Sequence, residues 1–223
     1  MTSSRESSTR GRLARLGFTH TEASAEYVDA HPLIDSHLDI IRTSADPDAT
    51  VAAFARLISA GGVDASSWTD EQWSVLSHLF GTSVALSEHV ARYPHHVGYV
   101  STTTAVQDAQ TLRENLVASV QGVAWDQALL NLRVAYRKEV SAIAALDASV
   151  VGESVAILPG IAQALTDLAD AVIAAAIAAA RAKIAGSDEH RLAVIAMGKC
   201  GARELNYVSD VDVIFVSQPA DEI

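Results

Sequence analysis

Apolar residues recur at the spacing of an α-helix along most of the chain and alternate like a strand only near its end. The clearest helical stripe, at steps of three and four residues, consists of Leu129, Leu132, Tyr136, Val140 and Ile143. We expect Glu139, on the same segment, to lie off that stripe. Proline, glycine and capping residues divide the remaining pattern into further helices, which we predict over residues 21–30, 32–46, 47–60, 70–80, 83–92, 104–119 and 161–184.

The pattern changes after residue 186. Residues 192–197 form a continuous apolar run that ends at Gly198, which is typical of a buried strand. From residue 210 to residue 215 polar and apolar positions alternate, at the period of a second strand. The sequence therefore predicts a strand, a glycine-containing turn, an irregular connection and another strand.

Two acidic side chains at the start of the second predicted strand are candidates for metal binding. A strand period puts Asp210 and Asp212 on one face, with Cα atoms roughly 6.5–7 Å apart. Such a carboxylate pair suits Mg²⁺, which takes oxygen ligands and leaves positions open for phosphates. Gly198 lets backbone N–H groups approach a phosphate, and Lys199 adds positive charge. Ser209 either caps the start of the strand or contacts a phosphate.

Three short motifs follow one another in this region: Gly198-Lys199-Cys200-Gly201, then Glu204-Leu205-Asn206, then Ser209-Asp210-Val211-Asp212-Val213-Ile214-Phe215. In this order they resemble the signature of glutamine synthetase adenylyltransferase, a branch of the polymerase-beta-like nucleotidyltransferases. Asp-x-Asp alone is a weak signal, whereas the ordered set is specific. The Glu-Leu-Asn form behind a helical leader is more similar to the amino-terminal of the family's two such domains, and the likeness extends faintly back to about Asp46.

The resemblance implies an activity. In this family the amino-terminal domain removes AMP from a tyrosine of glutamine synthetase, with phosphate as the acceptor and ADP as the product, and the carboxy-terminal domain adds AMP from ATP. Carried over to the matching positions, it implies that Asp210 and Asp212 are catalytic and hold Mg²⁺, and that Gly198, Lys199 and Ser209 bind phosphate or nucleotide. The implied partners are glutamine synthetase, a PII-type signalling protein, and glutamine as an effector.

The sequence departs from the family pattern at two points. Cys200 stands where the family more often has leucine, and the general fold takes a third carboxylate from a later strand, beyond Ile223. We therefore expect an amino-terminal piece of a longer enzyme. The predicted fold class is α+β: a mostly helical leader and then the first strands of a polymerase-beta-like nucleotidyltransferase fold that the chain does not complete. The predicted domains are a disordered or loosely ordered start over 1–20, a helical domain over 21–185 and the beginning of the nucleotidyltransferase domain over 186–223.

Composition narrows the function classes. Among 223 residues, 49% are hydrophobic and 19% are charged, which is ample for a buried core. The net charge of −11 argues against a sequence-independent nucleic-acid binder, because such proteins cluster Lys and Arg. The single cysteine suits a reducing cytoplasm. The most apolar stretch, residues 171–180, is too short to span a bilayer, so we expect no membrane contact.

Other interpretations stay open at this stage. The chain could be a catalytically inert helical docking module, or a nucleotidyltransferase that acts on another acceptor, such as a small molecule. For single residues, a structural role is the simpler interpretation of Glu204 and Asn206, whose side chains can satisfy backbone groups in an irregular loop. Cys200 is more simply a small apolar filler than a nucleophile.

Overall fold

The computed structural model describes residues 8–150, 152 and 154–219, together with every side chain in those ranges except Ser154 and Asp188. The chain divides into two compact units. The first consists of Met1–Thr104 and Ala144–Val151, and the second of Ala105–Ile143 and Gly152–Ile223. Each unit is described by itself below.

The first unit is helical throughout its described part. Short 3₁₀ helices at Ala65–Ser67 and Pro94–His96 connect longer helices, which are α1 (Thr9–Arg15), α2 (Thr21–Ala30), α3 (Pro32–Ser36), α4 (Leu38–Ile41), α5 (Pro47–Ala60), α6 (Asp70–Thr82), α7 (Val84–Arg92) and α8 (Val97–Thr102). The prediction over residues 21–30 is confirmed, and the stretch predicted as one short helical piece over 32–46 divides into α3 and α4.

Side-chain caps begin several of these helices, as the sequence predicts. The Asp46 carboxylate accepts a hydrogen bond from the backbone N–H of Ala49 at the start of α5. Thr69 and Gln72 form a reciprocal capping box at the start of α6. The prediction that α6 ends before Gly81 is wrong, because the helix continues to Thr82. Gly81 instead allows a close approach, since a Cβ there would lie 2.8 Å from Cβ of Ser44.

An aromatic cluster fills the core of the first unit. The ring of Phe54 lies 4.5 Å from that of Trp73 and 5.0 Å from that of Phe80, and all three side chains are fully buried. The imidazole of His37 stacks on Trp73 at 4.2 Å. Aromatic pairs at these separations stabilise a core beyond the area that they bury.

The beginning of the chain differs from the prediction of a disordered or loosely ordered start over 1–20. Residues 1–7 lie outside the described residues, but Thr9–Arg15 forms α1, capped by the hydroxyl of Ser8. Leu13 is fully buried and Phe18 nearly so. The prediction is wrong over this part because two apolar side chains gain enough from burial to offset the ordering of a short polar helix.

The second unit combines long helices with a two-stranded sheet. It holds α9 (Ala109–Val120), most of α10 (Trp125–Ser149), α11 (Ser154–Lys183), a 3₁₀ helix at Ser187–Glu189, β1 (His190–Ala196), the short helix α12 (Gly198–Gly201) and β2 (Val213–Pro219). Helix α11 packs along α9, and β1 pairs with β2 in antiparallel orientation. The α+β class is thereby confirmed. A domain boundary near residue 186 stays a prediction, and α11 shares a compact unit with the strands that follow it.

Helix α11 begins earlier than the sequence predicts. The predicted start at residue 161 is wrong, since α11 starts at Ser154 and Pro159 lies inside the helix. A proline there removes one backbone hydrogen bond, a cost that the buried face formed by Ile161, Leu165 and Leu168 outweighs. Among the described residues, Val155–Lys183 is the helical stretch long and apolar enough to cross a membrane, by length and composition alone.

The predicted stripe on α10 is largely correct. Leu132, Val140 and Ile143 are buried, whereas Tyr136 stays partly exposed. Glu139 differs from the prediction, because it is 4% exposed although it was expected to lie off the buried stripe. The ammonium of Lys138 lies 2.8 Å from the Glu139 carboxylate. The nearby ammonium offsets part of the cost of burying the Glu139 charge. Hydrophobic periodicity alone cannot predict such an ion pair.

Asp48, in the first turn of α5, makes a contribution to the stability of the first unit that depends on pH. Its carboxylate accepts hydrogen bonds from the backbone N–H groups of Thr19 (2.8 Å) and His20 (3.2 Å) and from the hydroxyls of Thr19 and Ser24. Burial alone would raise the pKa of Asp48, but these hydrogen bonds outweigh it and hold the pKa below the usual 3.8. The stabilisation is therefore complete above about pH 3.8 and is lost as the pH falls through the lower folded pKa.

We expect Asp48→Asn to lower the free energy of unfolding by about 1–3 kcal/mol at pH 7, with a smaller loss at pH 2–3. Urea unfolding at both pH values measures this difference. Glu71→Gln is the matched control, because Glu71 is an exposed acid at the same position in the first turn of α6. A loss that does not shrink at low pH would contradict the assignment.

Candidate functional site

The three predicted motifs lie around one end of the two-stranded sheet. At that end Ala196 of β1 pairs with Val213 of β2, and at the other end His190 pairs with Pro219. Two strands form close to where the sequence predicts them, but the prediction that the first is buried is wrong, because most of β1 is exposed. The second strand, β2, begins at Val213, so that Asp210 and Asp212 lie in the segment just before it. The sheet end therefore presents both carboxylates at the start of a strand rather than within one.

Backbone contacts join the glycine turn to Asp212. The backbone N–H of Met197 donates a hydrogen bond of 2.9 Å to the carbonyl oxygen of Asp212, which extends the pairing of the strands by one step. Gly198 follows with a φ of +55°, a left-handed conformation that favours glycine. A Cβ at Gly198 would lie 3.6 Å from Oδ2 of Asp212. The structure thus brings Gly198 and the Asp212 carboxylate together.

The second glycine of the turn is needed for a different reason. Gly201 ends α12, and its backbone N–H donates to the carbonyl oxygen of Met197 at 3.0 Å. A Cβ at Gly201 would lie only 2.5 Å from the carbonyl oxygen of Ala196, closer than real Cβ contacts. Only glycine lets α12 pack this closely on the end of β1.

Contacts with α11 fix the loop between the turn and the two aspartates. Arg203, with a φ of 60°, forms ion pairs with Asp167 and with Asp170, the latter at 3.4 Å. Leu205 is buried, and its backbone N–H donates to the hydroxyl of Thr166 at 3.4 Å. The loop is therefore held by charge, by a hydrogen bond and by apolar burial within a few residues.

The side chain of Cys200, in α12, is 2% exposed. Burial raises the pKa of the Cys200 thiol, the Asp170 carboxylate raises it further, and the Arg203 guanidinium lowers it by less. The thiol form is therefore favoured at neutral pH, which suits a packed side chain and not a nucleophile. The structural interpretation of Cys200 agrees with these surroundings.

The remaining predicted residues lie on the same loop. Lys199 is exposed, and its carbonyl oxygen accepts a hydrogen bond of 2.8 Å from the backbone N–H of Glu204. The hydroxyl of Ser209 donates to Oδ1 of Asn206, so both side chains stabilise the loop. This contact gives Asn206 a structural role. The Ser209 hydroxyl donates to a side chain of the loop and not to the backbone at the start of the strand, where a cap was one of the two expectations.

The two carboxylates fit a metal that is bound jointly with its substrate. Asp210 and Asp212 are both exposed. In the part of the chain that the structure describes, no group of three or more His, Cys, Asp or Glu side chains is placed to hold a metal ion. Mg²⁺ is commonly held by one or two carboxylates and completes its coordination with water and substrate phosphates. Two exposed carboxylates beside a glycine turn are compatible with that mode and unlike a closed structural site.

A cavity of about 310 Å³ lies between α10, α11 and the loop that follows Glu204. Helix α11 supplies an apolar wall that includes Leu168 and Val172, and Tyr136 contributes from α10. Ser209 and Val211, the two neighbours of Asp210 in the chain, also line the cavity. Asp210, which lies between them in the chain, is not among the residues that line the cavity.

Comparison with known proteins identifies the family. A family model described as glutamate-ammonia ligase adenylyltransferase matches residues 73–223, which is more than half of the chain and includes all three motifs. The chain belongs to the glutamate-ammonia ligase adenylyltransferase family. No solved structure is significantly similar to the chain.

Relatives in this family are similar over nearly the whole chain. A bifunctional glutamine synthetase adenylyltransferase/adenylyl-removing enzyme of Mycolicibacterium smegmatis is 33% identical and is matched by 94% of the chain. Proteins of the same name from Mycobacterium tuberculosis and Streptomyces avermitilis are 37% identical, matched by 94% and 97% of the chain. The chain spans only 21–22% of the length of these three relatives.

Sequence reasoning missed the residues that position the adenylyltransferase-family motifs. Arg203 stands out in no pattern, and its partners Asp167 and Asp170 look in sequence like ordinary polar positions before an apolar stretch. The left-handed conformation of Arg203 brings it back onto α11, and a single sequence carries no sign of that conformation. The cavity was missed for the same reason, since it joins residues from three separate segments.

Gly201→Ala tests the close approach of α12 to β1. The added methyl would meet the Ala196 carbonyl oxygen, so we expect a loss of about 1–3 kcal/mol in the free energy of unfolding, together with a displaced glycine turn. Thermal unfolding of the purified protein measures the loss. Gly160→Ala is the matched control, because Gly160 lies in α11 and a Cβ there meets nothing within 4 Å. Equal midpoints for both variants would contradict the packing argument.

Arg203→Asn tests the attachment of the loop to α11. Asparagine tolerates a positive φ, so the change removes the ion pairs and leaves the backbone conformation accessible. We expect a loss of about 0.5–1.5 kcal/mol in stability and faster hydrogen exchange over residues 202–212. Arg191→Gln, at an exposed site on β1, is the control and should change neither. Unchanged exchange in Arg203→Asn would show that the ion pairs do not hold the loop.

Proposed function

We propose that this chain contributes an adenylyl-removing site that acts on glutamine synthetase, with Asp210 and Asp212 as its central carboxylates. The observation that carries the proposal is the juxtaposition of the Asp212 carboxylate with the left-handed Gly198, 3.6 Å from the position of a Cβ. Family membership supports it, and the relatives' name includes both adenylyl transfer and adenylyl removal. The resemblance of Glu204-Leu205-Asn206 to the amino-terminal motif favours removal.

The proposed reaction transfers the adenylyl group from the tyrosine oxygen to inorganic phosphate. An oxygen of inorganic phosphate forms a bond to the phosphorus of AMP while the bond from that phosphorus to the tyrosine oxygen breaks. ADP leaves, and the tyrosine hydroxyl takes a proton from solvent. Because a phenolate is a reasonable leaving group, the site needs to orient the two phosphorus groups and balance their charge more than it needs to move protons.

The chain's own residues are suited to that task. Gly198 leaves the backbone of the turn open to a phosphate oxygen, and exposed Lys199 next to it supplies a positive charge. The Ser209 hydroxyl lies on the loop that leads to Asp210. Asp210 and Asp212 would hold Mg²⁺, which when bound would neutralise charge on the phosphate oxygens. Gly201 and Arg203 act only by positioning this set.

The finer parts of the proposal rest on the resemblance. They are a PII-type signalling protein as regulatory partner, glutamine as effector, ATP as the nucleotide of the reverse transfer, and a cytoplasmic location. The net charge of −11 is compatible with small-molecule and protein partners and unfavourable for nucleic acid.

Asp210→Asn and Asp212→Asn test the proposal in the full-length protein. Release of ADP from adenylylated glutamine synthetase, with phosphate and Mg²⁺ present, should fall by roughly 10²-fold or more, because each change removes a negative charge from the reacting centre. The same variants should need more Mg²⁺ for half-maximal activity.

Glu189→Gln is the matched control, since Glu189 is an exposed acid next to the opposite end of β1. It should leave both the rate and the Mg²⁺ dependence unchanged. Full activity in Asp212→Asn would show that the Asp212 carboxylate takes no part in the reaction. An unaltered protein that adds AMP and releases no ADP would instead assign the chain to the adenylylating direction.

A further inference from the structure

The polar side chains of α11 lie on one face of an otherwise apolar helix. Between Val155 and Ala180 every polar or charged residue belongs to one set, whose members are Gln163, Thr166, Asp167 and Asp170. Steps of three, four and seven residues along a helix lead to the same face. A polar face usually meets water, but here it meets the loop between the glycine turn and the two aspartates.

Asp167 holds the central position in this polar set. Gln163, one turn earlier in α11, donates from its carboxamide to both carboxylate oxygens of Asp167, at 3.0 Å and 3.2 Å. The guanidinium of Arg203 pairs with the same carboxylate from the loop. The Asp167 side chain is 13% exposed, whereas that of Asp170, which lies 3.4 Å from Arg203, is 45% exposed. Because water screens the Asp170 pair more, Asp167 makes the stronger contact with Arg203.

The loop that Asp167 holds leads directly to the proposed reacting carboxylates. Arg203 lies seven residues before Asp210 in the chain. On its other side the loop joins the glycine turn, since the backbone N–H of Glu204 donates to the carbonyl oxygen of Lys199 at 2.8 Å. A displaced Arg203 would therefore move the aspartates relative to the turn. Misplacement of reacting groups by about 1 Å can lower a rate by about 10²-fold.

We infer that Asp167 of α11 is a positioning residue for the adenylyl-removing reaction. Through Arg203 it fixes the loop that carries Asp210 and Asp212, and Gln163 fixes Asp167 in turn. This inference rests on the proposed function, in which the two aspartates are the reacting carboxylates. It gives a task in the reaction to a helix that lies outside the three motifs.

Asp167→Asn in the full-length protein tests this role, because asparagine has nearly the same shape and carries no charge. For ADP release from adenylylated glutamine synthetase, we expect kcat to fall about fivefold or more. The Mg²⁺ concentration for half-maximal rate should rise about threefold or more, because the carboxylates are held less precisely. The KM for adenylylated glutamine synthetase should stay within about twofold, since a loss of positioning affects the transition state more than substrate binding. Without Mg²⁺ or substrate, hydrogen exchange over residues 202–212 should be faster.

Three further variants separate positioning from a general loss of structure. Asp167→Glu keeps the charge and should restore a Mg²⁺ requirement within about twofold of the unaltered protein. Asp167→Asn combined with Arg203→Asn should lower kcat little further than the larger of the two single losses, because the side chains form one contact. Asp126→Asn is the matched control, since Asp126 is an exposed acid on α10, and it should change none of these quantities.

The outcomes distinguish this inference from the proposed function. An unchanged Mg²⁺ requirement and unchanged loop exchange in Asp167→Asn overturn the inference even where kcat falls, since a smaller amount of folded protein would give that result. It is also overturned if the double variant loses the product of the two single losses. If Asp210→Asn keeps full ADP release, the proposed function fails, whereas faster exchange in Asp167→Asn would still show that Asp167 positions the loop.

Discussion

The attachment of residues 203–205 to α11 is the constraint on which the candidate site depends. The loop between the glycine turn and the aspartates has no regular backbone pairing of its own, so its path is set by what it touches. The Arg203 guanidinium balances the carboxylates of Asp167 and Asp170, and Leu205 is buried over Thr166. The same helix, α11, therefore holds the loop and also lines the neighbouring cavity. A shift of the loop on α11 would change the shape of that cavity.

Most helices could be predicted from the sequence because their signals are local. The helix starts predicted at residues 47 and 70 are both confirmed, and a side-chain cap precedes each of them. The wrong predictions arise where tertiary packing overrides a local signal. Pro159 does not end α11, and Gly81 does not end α6, because buried faces along each helix contribute more than one proline or glycine removes. Leu13 likewise orders a polar start that composition alone marks as loose.

Only the residues in the three ordered motifs of the candidate site could be predicted from the sequence. Those motifs identify Gly198, Asp210 and Asp212, and the structure places Gly198 beside the Asp212 carboxylate. The strand period predicted both aspartates within a strand, whereas β2 starts one residue after Asp212. Alternation alone cannot separate a strand from the extended segment that leads into it. The ion-pair partners of Arg203, Asp167 and Asp170, belong to a separate segment, α11, and a single sequence contains no information on which segments meet.

The start of β2 holds Asp212 on a fixed backbone and leaves both aspartate side chains in water. Most residues of β1 and β2 are exposed as well, so the sheet does not impose the high cost of burying a carboxylate pair without a cation. At the strand's start, Asp212 is fixed through its backbone by the hydrogen bond from Met197, and its side chain stays exposed. The sheet thus supplies rigidity without burial, which is what the proposed joint binding of Mg²⁺ and a phosphate would require. Exposure of the carboxylates and rigidity of their backbone are therefore two consequences of one location in the fold.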